Sequence, residues 1–294
     1  MKLAKGESFT VNQYRVSFLS IPMGCLHMVV TPIYPHSGER KMRVALFVSG
    51  SGTNGLRILE RSKEPDSNYE VTLIFSDVKD ERTRRSGDKM CRAKDIADEW
   101  GVAYEFVDIR DFYAERGLKR TDLSIRPDFD RLVLEKLEGN KIDLIANAGY
   151  MSIMTPVLLN RYSGKVVNVH PADLTKMDGE KRKYVGIHVV EDAIMAGDKE
   201  IRSTTHIVRE EVDHGEILVL SEPVKIELEH SLAQLEADKK LRKEVVSRYQ
   251  DKLKEGGDWV IYPLTIQMIS MGRFALGPEG VYLDDKPVPH GFQL

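Results

Sequence analysis

Residues 166–173 place two side chains that can do chemistry at the end of a short apolar run. Asn168 can donate a hydrogen bond to an oxygen that gains negative charge, and His170 can give or take a proton near neutral pH. If the run is a strand of a parallel α/β sheet, both side chains lie near its carboxyl end, where such sheets collect their ligands. A lone histidine after a strand is more often structural than catalytic, so the interpretation depends on the rest of the chain.

The glycine-rich segment 50–55 (GSGTNG) is a second candidate site. It follows the apolar run 43–49 and precedes a helix that is predicted to begin at Leu56. Backbone N–H groups of such a turn, together with a helix N-terminus, can hold a phosphate. The segment lacks the lysine of a nucleotide P-loop and the GxGxxG of a dinucleotide fold. A tight turn without a ligand is an equally good interpretation.

Three further places carry candidate residues. The flexible apolar segment 150–154 either fills the core or forms a wall for a flat heteroaromatic ligand. The polar turn 210–215 can direct Asp213 or His214 inward. His188 stands at the start of a predicted helix, where a capping role competes with substrate contact.

The hydrophobic pattern predicts the scaffold for these residues. Apolar runs of buried-strand type alternate with helical stretches, which is typical of a parallel α/β sheet. The predicted strands cover residues 43–49, 69–76, 102–107, 142–147, 165–169, 203–208 and 217–224, and the predicted helices cover 88–100, 128–139, 156–162, 188–196 and 227–254. Asp128 and Thr155 are predicted N-caps.

The predicted fold class is therefore α/β, a doubly wound, mainly parallel sheet with a C-terminal hairpin after Gly272. Residues 42–294 form the main domain. Residues 1–41 form an N-terminal extension that packs on it, with strand-like segments at 14–21 and 27–33.

The composition excludes several classes of partner. The 43 basic and 46 acidic residues give a formal charge of -3, which provides no general attraction to nucleic acid or anionic membrane. No run approaches the roughly 18 apolar residues of a membrane helix. Cys25 and Cys91 lack the spacing of metal ligands. The sequence predicts a cytoplasmic protein with small-molecule substrates, no metal, no nucleic acid and no membrane partner, and it does not indicate the oligomeric state.

Taken together, the chain resembles the glycinamide ribonucleotide transformylase family, the folate-dependent formyltransferases of purine synthesis. The resemblance covers about residues 43–292. It rests on the order and spacing of short motifs at residues 49–54, 148–156, 168–171, 206–208, 212–215 and 261–264.

The resemblance implies a ligand for each candidate segment. The co-substrate would be 10-formyltetrahydrofolate, and no metal would be needed. The implied folate contacts are Met151, Ser152, Ile153, Met154 and Asn168, and the implied contacts to the phosphate of the ribonucleotide are Gly52, Thr53 and Asn54.

The resemblance also implies a catalytic set of Asn168, His170 and Asp213. The amine of glycinamide ribonucleotide would attack the formyl carbon directly, and Asn168 with protonated His170 would stabilise the resulting oxyanion. Asp213 would raise the pKa of His170 and assist proton movement from the amine to the departing folate nitrogen.

One departure from the family pattern concerns the folate side, where Ser152 stands at a position that is basic in many relatives. The others concern the acceptor side, where Val190 stands at the position of a usual second histidine. The charged segment 176–182 resembles an insertion, and its cations either clamp an anionic group of the acceptor or face solvent. Asp258, followed by Trp259, replaces a glutamate that contacts ribose in relatives. We therefore predict His188 and Asp258 as candidate acceptor contacts.

Three alternatives stay open. The acceptor could be another phosphorylated or sugar amine. The chain could hydrolyse formyltetrahydrofolate, although hydrolase relatives generally carry an N-terminal regulatory domain that about 41 residues cannot form. A ligand sensor without catalysis is the third alternative, and the presence of Asn168, His170 and Asp213 together argues against it.

Overall fold

The computed structural model describes residues 29–294 and, before them, residues 10–11 and 14–15. Residues 16–21 of the predicted strand 14–21 and residues 27–28 of the predicted strand 27–33 therefore lie outside the described residues. Residues 31–32 form a short strand that pairs with the C-terminal hairpin. Within the described ranges, no helix combines the length and the apolar character that crossing a bilayer requires.

The strands in chain order are β1 (Thr10–Val11), β2 (Tyr14–Arg15), β3 (Thr31–Pro32), β4 (Met42–Phe47), β5 (Tyr69–Ser76), β6 (Ala103–Phe106), β7 (Leu144–Asn147), β8 (Val166–His170), β9 (Met177–Asp178), β10 (Lys181–Arg182), β11 (Glu200–Ile201), β12 (Thr204–Ile207), β13 (Ile217–Leu220), β14 (Val224–Lys225), β15 (Phe274–Gly277), β16 (Gly280–Leu283), β17 (Lys286–Pro287) and β18 (Phe292–Gln293). The α-helices are α1 (Thr53–Ser62), α2 (Ala93–Trp100), α3 (Ile109–Ala114), α4 (Arg126–Leu137), α5 (Pro156–Arg161), α6 (Val189–Met195), α7 (Leu232–Ala237), α8 (Lys239–Leu253) and α9 (Trp259–Ser270). A 3₁₀ turn (Leu123–Ile125) precedes α4, and a π turn (Lys254–Asp258) joins α8 to α9.

The central sheet has the strand order β18-β13-β12-β8-β7-β4-β5-β6. The five strands from β8 to β6 are parallel, and β12 runs antiparallel to β8. The chain builds outward from β4 to β6 and then returns to add β7 and β8 on the other side of β4. The predicted doubly wound, mainly parallel sheet is confirmed, and so is the C-terminal hairpin, formed by β15 and β16.

The order of strands reverses between β4 and β7, so the connections that leave these two strands diverge. Doubly wound sheets bind their ligands in the crevice at such a point. Both faces of the sheet are covered: Val44 and Leu46 belong to a core with α1, α2 and α9, whereas Ala45 and Phe47 belong to a core with α3, α4 and α5. Because both faces of β4 are buried, its sequence is a nearly continuous apolar run.

Several predicted helix boundaries were wrong, including the start of the helix predicted over 88–100, which begins at Ala93. Two others have identifiable reasons. Asp128 lies inside the first turn of α4 rather than at its N-cap, because Pro127 fits the first turn and the preceding 3₁₀ turn already leads into the helix. The single helix predicted over 227–254 is two helices. Ser231 forms a capping box at the start of α7, and Asp238 accepts bonds from two backbone N–H groups of α8, so the chain breaks there. Thr155 does cap α5.

Gly215, just before β13, is the glycine at which a side chain meets the strongest obstacle. A Cβ there would lie 1.7 Å from the carbonyl oxygen of Ile207, which is backbone and cannot move aside. We expect Gly215→Ala to lower the free energy of unfolding by about 3 kcal/mol, the upper part of the usual range for overpacking.

The matched control is Gly256→Ala, where the added Cβ makes only an ordinary contact of 3.6 Å with Val224. Urea unfolding of both variants measures the difference. Equal stability of the two variants would contradict the packing argument.

Candidate active site

The carboxyl edge of the sheet holds a cavity of about 460 Å³. It lies where the connections after β4 and β7 diverge and extends across the end of β8. Its lining includes Asn54 from α1, the segment 149–154 after β7, and Asn168 and His170 from β8. We call this space the edge cavity. Its volume lies in the range of small-molecule sites.

Strand register brings several polar side chains to one face of the sheet. Asn147, Asn168 and His206 are paired neighbours on β7, β8 and β12. Directly paired residues point to the same face of a sheet, and His170 joins that face because it follows Asn168 by two positions. All four residues line the edge cavity.

Asp213 reaches this face from the turn between β12 and β13. Its backbone is left-handed (φ 57°), and its carboxylate lies between two imidazoles. Oδ2 is 3.5 Å from Nδ1 of His170, and Oδ1 is 3.6 Å from Nε2 of His206. The backbone N–H of Gly186 donates to Oδ2 at 2.9 Å. The structure thus brings together the three residues of the predicted catalytic set, which we call the Asn168–His170–Asp213 cluster.

His206 belongs to this site, although the sequence analysis included it only in a motif. Its Nδ1 lies 2.9 Å from the carbonyl oxygen of Ile207 and therefore carries a proton. Burial lowers the pKa of His206, so Nε2 is left as an acceptor for the side-chain amide of Asn168 at 3.3 Å. This contact turns the NH₂ group of Asn168 toward β12 and leaves its second N–H free to donate.

His170 directs both ring nitrogens at protein acceptors. Nε2 donates to the carbonyl of Tyr184 at 3.1 Å, and Nδ1 faces Asp213. Burial lowers the pKa of His170 below its usual value; Asp213 and the Tyr184 carbonyl act in the opposite direction, and nearby Arg182 lowers the pKa further. Asp213 raises this pKa, as predicted, but desolvation of the charged ring outweighs a carboxylate at 3.5 Å, so the net shift is downward.

The glycine-rich turn leads directly into α1. Gly52 is left-handed (φ 68°), and a Cβ there would lie 2.5 Å from Cδ1 of Ile96, so a side chain would strain the backbone and displace Ile96. The helix begins at Thr53 without a capping side chain. The N–H of Leu56 makes the first helical bond, to Gly52, which leaves the N–H groups of the first turn without helical acceptors. Asn54 lines the edge cavity.

Asp258 is a buried carboxylate at the cavity wall. It accepts hydrogen bonds from Ser203 at 2.6 Å and from Asn54 at 3.3 Å, and burial raises its pKa. Lys254, which the sequence analysis did not single out, also lines the cavity. The predicted acceptor contact His188 is exposed at the start of α6 and is absent from the cavity lining.

The apolar side chains of segment 150–154 divide between buried and exposed positions. Tyr150 and Met154 are buried, whereas Met151 and Ile153 are 67% and 41% exposed and line the edge cavity with Ser152. The hydroxyl of Ser152 donates to the buried carboxylate of Asp77.

Ser49 ties this segment to the carboxyl ends of β4 and β5. Its hydroxyl donates to Asp77 at 2.5 Å and accepts from the backbone N–H of Met151 at 2.9 Å. Burial raises the pKa of Asp77, and the bonds from the two serines oppose that shift.

The charged segment 176–182 is a short antiparallel hairpin of β9 and β10 rather than an open loop. Arg182 donates to the carbonyl oxygens of Asp213 and Gly215, and Lys176 pairs with Asp198 at 2.6 Å. Lys181 is exposed. Two of the three cations that were considered as a clamp for an anionic acceptor are therefore bound to the protein itself.

Comparisons with known proteins agree with this architecture. The profile of the formyl transferase family matches residues 42–249. The chain is 30% identical over 248 residues to the phosphoribosylglycinamide formyltransferase of Haemophilus influenzae, covering 84% of this chain and 96% of that protein.

Two solved structures show the same fold. The phosphoribosylglycinamide formyltransferase of Coxiella burnetii has a TM-score of 0.61 at 20% identity, covering 87% of this chain and 100% of that one. A formyltetrahydrofolate deformylase from Pseudomonas syringae has a TM-score of 0.60 at 19% identity, covering 83% of this chain and 66% of that one.

Proposed function

The chain belongs to the formyl transferase family of one-carbon transferring enzymes, and from that premise we propose that it transfers the formyl group of 10-formyltetrahydrofolate to the amino group of glycinamide ribonucleotide. The catalytic domain would span residues 42–294, and the reaction would take place in the cytoplasm. The observation that carries the proposal is the position of the Asp213 carboxylate between His170 and His206, beside Asn168, in the wall of the edge cavity.

The residues around the edge cavity fit a folate. Met151 and Ile153 offer exposed apolar side chains to a flat ring, and Asn168 offers a hydrogen-bond donor beside them. Binding there would bring the formyl group to the end of β8, since the strand carries Asn168 and His170 to that edge.

The first turn of α1 fits the phosphate of the acceptor. Its N–H groups lack helical partners, and the helix dipole favours an anion there. Asn54 and Asp258 form a hydrogen-bonded pair between this turn and the cavity. Asp258 would accept hydrogen bonds from hydroxyl groups of a sugar, the role implied for the glutamate that it replaces.

In the proposed reaction, the acceptor amine adds to the formyl carbon and the carbonyl oxygen becomes an oxyanion. The free N–H of Asn168 donates to that oxygen. The ring of His170 is neutral before the reaction, and its Nε2–H group turns from the Tyr184 carbonyl to donate a second hydrogen bond to the oxyanion, with the proton kept on the ring.

A proton must pass from the attacking amine to the folate nitrogen that departs. Asp213 accepts and returns it, since its carboxylate belongs to a residue that lines the edge cavity where the amine would bind. The carbon–nitrogen bond to the folate then breaks, the carbonyl re-forms, and tetrahydrofolate and the formylated amine leave. The step requires no covalent enzyme intermediate.

Hydrolysis of formyltetrahydrofolate is the second candidate, favoured by the structural similarity to a deformylase. The two reactions differ in one reactant, because water replaces the amine and formate replaces the formylated product. A test of the proposal must therefore separate amine-dependent from amine-independent release of tetrahydrofolate.

The decisive experiment incubates the protein with 10-formyltetrahydrofolate and a panel of amines: glycinamide ribonucleotide, other phosphorylated or sugar amines, and no amine. We expect tetrahydrofolate release that requires glycinamide ribonucleotide and produces no formate. Release with formate in the absence of any amine would establish hydrolysis, and release with another amine alone would replace the acceptor. If tetrahydrofolate is released neither with any of the amines nor without amine, the proposed formyl transfer is wrong.

A further inference from the structure

The hairpin 177–182 and the residues that follow it surround the catalytic groups from one side. Arg182 binds the carbonyls of Asp213 and Gly215. Two residues later, the carbonyl of Tyr184 accepts a hydrogen bond from His170, and the N–H of Gly186 then donates to the Asp213 carboxylate. One continuous segment thus contacts both members of the His170–Asp213 pair.

The far side of this segment is anchored to the body of the protein. Lys176 and Lys183, at the two ends of the hairpin, both face the carboxylate of Asp198, at 2.6 Å and 3.7 Å. The backbone N–H of Lys183 donates to the carbonyl of Lys176, which closes the base of the hairpin. The hairpin is therefore a supported element and can hold Arg182 in place.

Arg182 differs from an ordinary surface cation. It is half-buried, and its hydrogen bonds among the described residues go to two neutral carbonyl oxygens. The neighbouring Glu216 is paired with Arg209. Burial lowers the pKa of Arg182, which is the expected effect on a cation that is removed from water without a directly bonded carboxylate.

The turn at Asp213 needs the two hydrogen bonds that Arg182 donates to it. Asp213 holds a left-handed backbone, which residues other than glycine adopt at some cost. A guanidinium presents parallel donors in a fixed geometry, so it can bind two carbonyls two residues apart at once. The neighbouring Lys181 is exposed, whereas Arg182 is half-buried and bonded to the turn, so the role belongs to position 182.

We propose that Arg182 is a positioning residue for the reaction: by binding the carbonyls of Asp213 and Gly215, it fixes the Asp213 carboxylate against His170. The inference rests on the proposed function for its link to turnover. The fixed positive charge also acts on the imidazole. The charged and titratable groups around His170 are Asp213 from the turn, His206 from β12 and Arg182 from β10.

The test compares Arg182→Met with Lys181→Met, a matched loss of one cation from the same strand. We expect Arg182→Met to lower kcat by about 10- to 100-fold through misplacement of the carboxylate. Lys181→Met should retain the parent kcat. Arg182→Lys keeps the charge but presents a single ammonium, so its kcat should fall between those of the parent and Arg182→Met.

The second readout is the titration of His170 by NMR in the ligand-free protein, with its signal assigned by loss in His170→Ala. The Asp213 carboxylate raises the pKa of His170 more strongly than the Arg182 cation lowers it, so displacement of the carboxylate in Arg182→Met should lower the pKa of His170, whereas Lys181→Met should leave it near the parent value. A raised pKa in Arg182→Met would show that Arg182 acts through its charge alone and would overturn the positioning role. A role limited to holding the fold predicts no such pattern.

Unchanged kcat together with an unchanged His170 titration in Arg182→Met would overturn the inference. A loss of kcat that only follows the unfolded fraction, with His170 titrating as in the parent, would overturn it as well.

If Arg182→Met does not fold, Arg182→Gln replaces it, because the amide can still donate to one carbonyl without charge. If the parent transfers no formyl group, the proposed function fails, and the NMR titration still decides whether Arg182 controls the pair.

Discussion

His170→Ala and Asp213→Asn should each lower kcat by about 10²- to 10⁴-fold, the usual contribution of a positioned proton-transfer group. Both residues act on charges that form during the reaction, so the loss should appear in kcat more than in either KM. Asp213→Asn is the sharper test. Asparagine tolerates the left-handed backbone at this position and can still accept the bond from Gly186, so the turn is preserved while the carboxylate is lost.

The matched control for this experiment is His214→Ala in the same turn. Among the described residues, the polar contacts of the His214 ring are with the carbonyl of Val212 and the exposed Glu211, and His214 does not line the edge cavity. Steady-state kinetics with thermal unfolding of each variant provides the measurement. Turnover of Asp213→Asn within a few-fold of the parent, in a protein that melts normally, would remove Asp213 from the mechanism.

Local sequence patterns were sufficient to predict the sheet and part of the site. The apolar run before Asn168 and His170 predicts a strand end, and parallel sheets gather ligands at that end. For the turn 210–215, the pattern left Asp213 and His214 as alternatives. The structure decides between them: Asp213 is buried and lines the edge cavity, whereas His214 is only partly buried and does not line it.

Other features depend on contacts that are distant in sequence. The role of His206 depends on its register with Asn168, 38 residues earlier, which no local pattern specifies. Arg182 lies in a run of charges, which is usually solvated, yet its partners are carbonyls 31 and 33 residues away. The effect of Asp213 on the pKa of His170 has the predicted direction, but the net shift is downward because it depends on burial, which the sequence does not reveal.

The phosphate site calls for a substitution that changes charge without disturbing the turn. Gly52→Val, the obvious choice from the sequence, is unsuitable, since its Cβ would collide with Ile96 rather than face a ligand. Thr53 is the first residue of α1 and is only partly buried. Aspartate there is favourable to the helix by about 0.3–1 kcal/mol through the dipole. The same negative charge repels a phosphate bound at that helix end.

We therefore expect Thr53→Asp to raise the KM for glycinamide ribonucleotide by about 10- to 100-fold, the effect of roughly 1.4–2.8 kcal/mol of repulsion. The KM for 10-formyltetrahydrofolate and the melting temperature should stay near the parent values, because the folate segment and the helix are unchanged. Thr53→Asn, which has nearly the shape of aspartate but no charge, is the control and should bind the acceptor as the parent does within a few-fold.

Raising the salt concentration should weaken the effect of aspartate on the acceptor KM and leave the effect of asparagine unchanged. If Thr53→Asp and Thr53→Asn bind the acceptor equally well, the phosphate does not bind at the first turn of α1, and Lys254 becomes the next position to test.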